Sequence, residues 1–348
     1  MSAKRLNDTS FVADDSILVL GKGTTIFGDM LEDFKSPLQA TVIDRLEAEG
    51  ATLKASVNFK DVVKILLKDK LSFGLGFDTD GSAIQTASQN NLFGYKPTYG
   101  MISRNGIVSM VSSMDTVSLL ANSIDQIELI CKATFGSDGC DSMLFSGDEF
   151  KSTSKNDYKI GLVTEFCKGD NKNLAKLKAN KVSLSMAKYI LPIYHTIMPA
   201  EISSNMMQYD GVRYGKRPET AKTLQEIYTQ SRTEGFNKET KLNIMVGFHV
   251  LSTGLFEAYF VQAAKARTML INELDKLFEK YDLLVGSADS EDLAIAAYLA
   301  GLPMISLPNG MQIVAPQKSD KELINFAREL KNERSEAQHL RAGAGGIK

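Results

Sequence analysis

The feature that most constrains this chain is a run of small residues at 76–82, Gly-Phe-Asp-Thr-Asp-Gly-Ser, which follows an apolar segment. We expect a strand to deliver a tight turn here, because glycine adopts backbone conformations that other residues avoid. Ser82 is then the residue to explain. A serine hydroxyl needs a base to become a nucleophile, and its tetrahedral adduct needs backbone N–H donors, which such turns supply. The same string is also typical of a helix N-cap or a polar turn.

Short apolar runs alternate with amphipathic segments along most of the chain. The periodicity predicts strands at 16–20, 51–54, 159–163, 281–286 and 304–307. It predicts helices from Ser36-Pro37 to Gly50, at 61–71, at 124–135 and within 220–280. This order is typical of an α/β protein with a mixed sheet wrapped by helices.

Length and composition favour one large domain. The chain has 348 residues, 43% of them hydrophobic, and no Pro/Ser-rich linker divides it. We expect a single domain over 1–330, followed by a charged tail, 331–348, that is disordered. The net charge of -2 gives no basic footprint for nucleic acid.

Cysteine and histidine usage predicts neither a disulfide framework nor a metal site. Cys131, Cys140 and Cys167 are an odd number at unsuitable spacings. His195, beside a tyrosine, is expected to be a packed core residue. The sequence shows no run long enough to span a membrane and no leader, which predicts a soluble, cytoplasmic protein rather than a mitochondrial or organellar one.

The strings after the turn carry a family resemblance. Gly-Tyr-Lys-Pro-Thr-Tyr-Gly at 94–100, Ile-Ser-Arg-Asn-Gly at 102–106 and Ser-Ser-Met-Asp at 112–115 resemble the amidase signature family in order and residue type. Tyr-Asp-Gly-Val-Arg-Tyr-Gly at 209–215 and Thr-Glu-Gly-Phe at 233–236 are similar to its tRNA-dependent branch, the A subunits of amidotransferases. The resemblance implies an α/β/α sandwich with a mixed central sheet flanked by helices. It also implies glutamine hydrolysis that supplies ammonia for converting Glu-tRNA(Gln) to Gln-tRNA(Gln).

The family's catalytic relay matches this chain only in part. That relay passes a proton from a nucleophilic serine to a second serine, held by a cis peptide bond, and on to a buried lysine. Ser82 matches the nucleophile. Counting back without gaps places Asn58 at the second serine, whose Gly/Ser-rich loop is absent, and an amide cannot relay a proton as a hydroxyl does. Asp14 stands where the family has lysine.

The resemblance also implies the other site residues. Thr79, Asp80 and Gly81 occupy the oxyanion turn, where Asp80 replaces a glycine and places an anion that would oppose the developing charge. Arg267 matches an arginine that holds the glutamine carboxylate, and Asp292 lies near the aspartate that binds its amino group. For both, an ordinary surface charge remains the alternative. No metal ligand is implied.

Partners follow from the resemblance alone. It implies a heterotrimer of amidotransferase subunits. The B subunit is a kinase-transamidase, which would bind ATP and magnesium and contact the tRNA, and the C subunit is small. No cofactor is expected in this chain. Two alternatives stay open: a catalytically inactive structural component of that complex, or a stand-alone amidase.

Overall fold

A computed structural model describes residues 4–148, 150, 155, 157–167 and 174–331. Its ten strands are β1 Ser10–Asp14, β2 Thr52–Val57, β3 Phe73–Asp78, β4 Phe93–Lys96, β5 Thr116–Ala121, β6 Ile160–Val163, β7 Asn180–Val182, β8 Leu283–Ser287, β9 Met304–Ser306 and β10 Met311–Val314. The helices are α1 Thr41–Ala48, α2 Phe59–Lys68, α3 Ser82–Gln89, α4 Ile124–Thr134, α5 Ile190–Asn205, α6 Leu224–Gly235, α7 Lys238–Leu251, α8 Phe260–Phe278 and α9 Asp292–Leu299. Residues 320–331 are also helical.

All ten strands form one mixed sheet, in the order β2-β1-β3-β5-β4-β9-β10-β8-β6-β7. At one end β2, β1 and β3 run parallel, and β3 then pairs with β5 antiparallel. At the other end β8, β6 and β7 are parallel. The parallel strands β2, β1 and β3 deliver their carboxyl ends to one edge of the sheet, where the predicted relay positions lie.

Helices cover both faces of the sheet. Along β1, Phe11 and Ala13 belong to one hydrophobic cluster and Val12 to another, as the alternation of side chains in a strand requires. The cluster of Phe11 includes residues of α1, α4 and the 320–331 helix. The cluster of Val12 includes residues of α2. A third cluster contains residues of α5, α8 and α9. The predicted α/β/α sandwich is therefore confirmed.

Two predicted elements are misplaced. Residues 16–20 are not a strand; the first strand is Ser10–Asp14, and Leu20 is exposed. Ser36 does not open a helix, since its hydroxyl donates to the Leu38 carbonyl and α1 begins only at Thr41. In both places local residue preference is overridden by strand pairing and packing further along the chain.

The ends of the predicted domain are only partly described. Helix 320–331 reaches the expected boundary at 330, while 332–348, nearly all of the predicted tail, lies outside the described residues. The division into one domain and a tail stays a prediction. Among the described helices, none is long and apolar enough to cross a membrane.

Candidate functional site

The predicted relay positions meet at one edge of the sheet. Asp14 is the last residue of β1, and it pairs with Val57 at the end of β2, next to Asn58. β3 runs parallel to β1 and ends at Asp78, from which the turn leads to Ser82. The structure therefore brings together the three positions that the family resemblance singles out.

A buried carboxylate organises the turn. Asp78 accepts the backbone N–H of Gly81 at 2.9 Å, of Asp80 at 3.3 Å and of Ala83 at 3.1 Å, and also the Ser118 hydroxyl at 3.3 Å. Burial, with a smaller contribution from the Asp80 charge, raises the pKa of Asp78 to about 7 in spite of the hydrogen bonds that the carboxylate accepts. Residue-by-residue matching to the family assigns this aspartate no role, although it opens the Asp-Thr-Asp-Gly-Ser string.

The turn leaves few donors for an oxyanion. The N–H groups of Asp80 and Gly81 point to Asp78, and that of Ser82 donates to Asp80 Oδ1 at 2.9 Å. An oxyanion hole needs preorganised donors aimed at the developing charge. Here those donors have carboxylate partners, and Asp80 adds a negative charge beside the site. The oxyanion role of Thr79, Asp80 and Gly81 stays a prediction.

Ser82 itself is exposed at the first position of α3. Gly81, not Ser82, is the N-cap, with φ of 94°. Within the described residues the Ser82 hydroxyl has no hydrogen-bond partner. The string 78–82 does form a turn that caps α3, but its cap residue is Gly81 and the serine hydroxyl takes no part in it. The hydroxyl is accessible, and no described side chain accepts a hydrogen bond from it.

Asn58 and Asp14 both have local structural partners. Asn58 caps α2 by accepting the Lys60 N–H at 3.2 Å, and its Nδ2 donates to Thr25 Oγ1 at 3.2 Å. Asp14 Oδ1 accepts the N–H of Ser16 at 2.9 Å and its hydroxyl at 2.6 Å. Burial raises the pKa of Asp14 to about 6; the bonds from Ser16 lower it and the Asp15 charge raises it.

Tyr194, on α5, also faces the turn. Burial raises the pKa of Tyr194, the Asp80 charge raises it further, and a hydrogen bond with the Thr79 side chain lowers it. Apart from its place beside a histidine, no sequence signal points to it, because residues 194 and 79 are distant along the chain.

Asp292 and Arg267 lie at opposite ends of α9. Asp292 is the first residue of this helix and accepts a hydrogen bond from the Ser290 hydroxyl at 2.8 Å. This end of the helix lies near the Ser82 turn, because a Cβ added to Gly81 would be 2.5 Å from Ala294 Cβ. The Arg267 guanidinium instead donates to the carbonyl of Leu299, the last residue of the helix, at 2.6 Å. The ends of an eight-residue helix are about 10 Å apart along its axis. The carbonyl that Arg267 contacts is thus about 10 Å along the axis from Asp292, and their joint binding of one amino-acid headgroup stays a prediction.

Arg267 is also tied to the 112–115 segment. Its Nη1 donates to Ser113 Oγ at 2.8 Å and its Nη2 to the Ser113 carbonyl at 3.2 Å, while Ser113 Oγ donates to Glu201 Oε1 at 2.6 Å. Burial lowers the pKa of Arg267, which the Glu201 carboxylate opposes. Its substrate-binding role, like that of Asp292, stays a prediction.

A second buried cation lies behind the turn. Lys96 Nζ donates to the Leu302 carbonyl at 2.5 Å and lies 5.0 Å from the centre of the Tyr298 ring. The Tyr298 hydroxyl is 3.1 Å from Ser118 Oγ, which donates to Asp78. Burial lowers the pKa of Lys96 to about 7, while Asp320 and Asp78 raise it. Lys96 thus belongs to the support of the turn and is enclosed in the core.

The structure also shows where His195 and the three cysteines lie. His195 is exposed, so its assignment to the core is wrong. Its neighbour Tyr194 faces the interior instead, because successive residues of a helix lie on different sides. Cys131, Cys140 and Cys167 are free thiols. Over the described ranges, no group of three or more His, Cys, Asp or Glu side chains is arranged to hold a metal ion.

Comparison with known proteins identifies the family. The profile of the family described as Amidase matches residues 69–290. The A subunit of the glutamyl-tRNA(Gln) amidotransferase from Caldanaerobacter subterraneus subsp. tengcongensis is 30% identical over 402 aligned positions, covering 93% of this chain and 82% of the relative. The protein of the same name from Ruminiclostridium cellulolyticum is 32% identical over 366 positions, covering 85% and 75%.

Solved structures share the fold. The glutamyl-tRNA(Gln) amidotransferase A subunit of Thermotoga maritima matches with a TM-score of 0.69 at 24% identity, covering 92% of this chain and 82% of that one. An allophanate hydrolase of Kluyveromyces lactis matches with a TM-score of 0.72 at 18% identity, covering 95% and 63%. Together with the family profile and the curated relatives, this similarity shows that the chain belongs to the amidase signature family.

Proposed function

We propose that this chain is the A-type component of a tRNA-dependent amidotransferase and that it contributes to assembly more than to glutamine hydrolysis. The relatives that cover most of the chain are named as such components. By this analogy its partners are a B subunit, which would bind ATP and magnesium and contact Glu-tRNA(Gln), and a small C subunit.

One observation carries the loss of hydrolysis: neither relay position next to Ser82 offers a proton acceptor of the family type. Asn58 has its amide committed to a helix cap and to Thr25. Asp14 has its carboxylate bonded to Ser16. An unactivated serine hydroxyl is a weak nucleophile. The N–H groups of the turn also support a loss of hydrolysis. They donate to carboxylates and are therefore not free to stabilise a tetrahedral adduct.

The test is the choice of nitrogen donor. The chain would be co-expressed with the B and C subunits encoded in the same genome, and amidation of Glu-tRNA(Gln) would be measured with glutamine or with ammonium. We expect a stable complex that uses ammonium and uses glutamine at least a hundredfold more slowly. Efficient glutamine use that Ser82→Ala abolishes would overturn the loss of hydrolysis. Failure to form a complex would overturn the assembly role and return the stand-alone amidase to consideration.

A second candidate keeps the chemistry with a different base. It is favoured by the accessible Ser82 hydroxyl and by the pKa of Asp14, which burial raises to about 6, within the range of useful general bases. In this case glutamine-dependent activity would be lost in both Ser82→Ala and Asp14→Asn. Ammonium-dependent activity would be kept in both variants.

A further inference from the structure

A cavity of about 650 Å³ lies apart from the Ser82 turn. Its walls come from three segments: residues 30–34, residues 107–109 and the loop 208–217, with Leu18 completing the lining. None of Ser82, Asp14 and Asn58 lines it. We call it the loop-208 cavity. Its volume lies in the range of cavities that hold small organic ligands.

The loop that forms one wall is held in place by hydrogen bonds. Asp210 Oδ1 accepts the N–H groups of Val212 at 2.8 Å and Arg213 at 3.2 Å. Lys216 N–H donates to the Met30 carbonyl at 2.7 Å, which ties the loop to the opposite wall. Gly215, with φ of 88°, lies so close to Met30 that a Cβ there would be 2.5 Å from its sulfur. The cavity is therefore a built feature and not a gap beside a free loop.

The rim of the cavity is positively charged. Arg213, Lys216 and Arg217 all line it, against a single lining carboxylate, Asp33. Lys216 is paired with Glu32 at 3.1 Å. Neither Arg213 nor Arg217 has an ion-pair partner in the part of the chain that the structure describes. Asp210 is close enough to Arg213 to interact with it electrostatically, but neither guanidinium group is hydrogen-bonded to a described residue, so both keep N–H donors for a ligand.

The floor is apolar and partly aromatic. Leu18, Met30, Leu31 and Val108 line it together with Tyr209. Tyr209 is fixed by aromatic contacts, with ring centres 5.5 Å from Phe27 and 6.3 Å from Phe236. Tyr214, also a lining residue, is 56% exposed.

We propose that the loop-208 cavity binds a small organic anion, with an aromatic or apolar body on the floor and a carboxylate or phosphate group between Arg213 and Arg217. Guanidinium groups bind both kinds of anion in a bidentate manner. The apolar floor adds affinity in proportion to the apolar surface that the ligand buries. Four of its lining residues, Tyr209, Arg213, Tyr214 and Gly215, belong to the 209–215 string that resembles the tRNA-dependent branch, but the cavity shares no residue with the Ser82 turn. Anion binding can therefore be measured separately from glutamine hydrolysis.

Calorimetric titration of the purified chain with four probes tests the proposal. Phenyl phosphate and phenylacetate carry both features and differ in the anion, whereas inorganic phosphate lacks the body and phenol lacks the charge. We expect saturable binding of at least one aromatic anion, at least tenfold tighter than either control probe; the tighter of the two anions then identifies the acidic group. Absence of such binding, or equal binding of inorganic phosphate, would overturn the proposal.

Variants locate the binding to this cavity. The double variant Arg213→Gln/Arg217→Gln should weaken binding of the aromatic anion at least tenfold while leaving the melting temperature unchanged, because both side chains are exposed. Lys265→Gln is the matched control, an exposed cation on α8 that does not line the cavity. Tyr214→Ala should weaken binding with the charge intact. Equal affinity in the double variant and the control would place the ligand elsewhere and overturn the proposal.

Discussion

Asp78 Oδ1 accepts the N–H of Gly81 at 2.9 Å, and this bond closes the turn that presents Ser82. Because the same carboxylate also accepts the N–H of Ala83, it connects the end of β3 to the first turn of α3. This role is structural and does not depend on catalysis. A chain can therefore keep the Asp-Thr-x-Gly-Ser string for its fold after the partners that activate the serine have been lost.

The close approach of Gly81 to α9 leads to the first prediction. Gly81→Ala forces a Cβ to 2.5 Å from Ala294 Cβ, at φ of 94°. Gly139→Ala is the matched control, because Gly139 also has positive φ, 74°, but no atom lies within 4 Å of an added Cβ. We expect the control to lose about 1–2 kcal/mol of unfolding free energy from backbone strain, and Gly81→Ala to lose at least about 1 kcal/mol more from overpacking. Urea denaturation measures both. Equal losses of unfolding free energy in the two variants would mean that α9 shifts to accommodate the added methyl group without further destabilisation.

Asp14 gives a pH-dependent prediction. Its pKa is about 6 in the folded chain against an ordinary 3.8, so the folded state binds the proton more tightly. The contribution of Asp14 to stability is therefore complete below pH 4 and is lost as the pH rises through 6. Asp14→Asn should remove this loss, since its amide oxygen can still accept from Ser16. Between pH 4 and 7 the unfolding free energy of the variant should therefore rise relative to that of the parent by about 2 kcal/mol.

The control for this pH effect is Asp275→Asn, an exposed aspartate on α8. The change of unfolding free energy with pH, relative to the parent, should be larger for Asp14→Asn than for this control, because Asp14 is buried and Asp275 is exposed. Equal changes in the two variants would contradict the raised pKa of Asp14 and remove the support for Asp14 as a general base.

The sheet-edge positions could be predicted from the sequence because their chemistry is local. The turn before Ser82 follows from glycine and aspartate within seven residues, whereas Asn58 and Asp14 are singled out only by the family resemblance. The misplaced first strand shows the limit. Residues 16–20 are as apolar as a strand requires, but residues 10–14 pair with both β2 and β3, and pairing partners are not visible in a local window.

The substrate residues are harder to predict. Arg267 and Asp292 are both polar residues on late helices, and a sequence pattern cannot say that a single helix, α9, separates them. Tyr194 and Lys96 are hard to predict for a related reason. Their importance comes from burial beside Thr79 and beside Tyr298, which are contacts between distant parts of the chain.

Arg267 provides a test that separates support from substrate binding. Its guanidinium makes three hydrogen bonds, to the Leu299 carbonyl and to two oxygens of Ser113. Arg267→Ala should lower the unfolding free energy by about 2–4 kcal/mol, because bonds to a charged group are lost and buried acceptors are left unpaired. Lys265→Ala, an exposed cation on the same helix, should change it by less than about 0.5 kcal/mol. A stable Arg267→Ala chain whose complex has lost only glutamine use would instead support the substrate-binding role.

Ser82→Ala separates a structural serine from a catalytic one. Its hydroxyl is exposed and bonds to no described residue, so we expect the unfolding free energy to change by less than about 0.5 kcal/mol. Ser88→Ala is the matched control within α3: that hydroxyl is buried and donates to the Leu307 carbonyl at 2.6 Å, and its loss should cost about 1–3 kcal/mol. Ammonium-dependent amidation by the Ser82→Ala complex should equal that of the parent. If the substitution leaves stability unchanged but removes a substantial glutamine-dependent rate, then Ser82 is still a nucleophile. Glutamine use in the Asp14→Asn complex then decides whether Asp14 is its base or whether a partner protein supplies one.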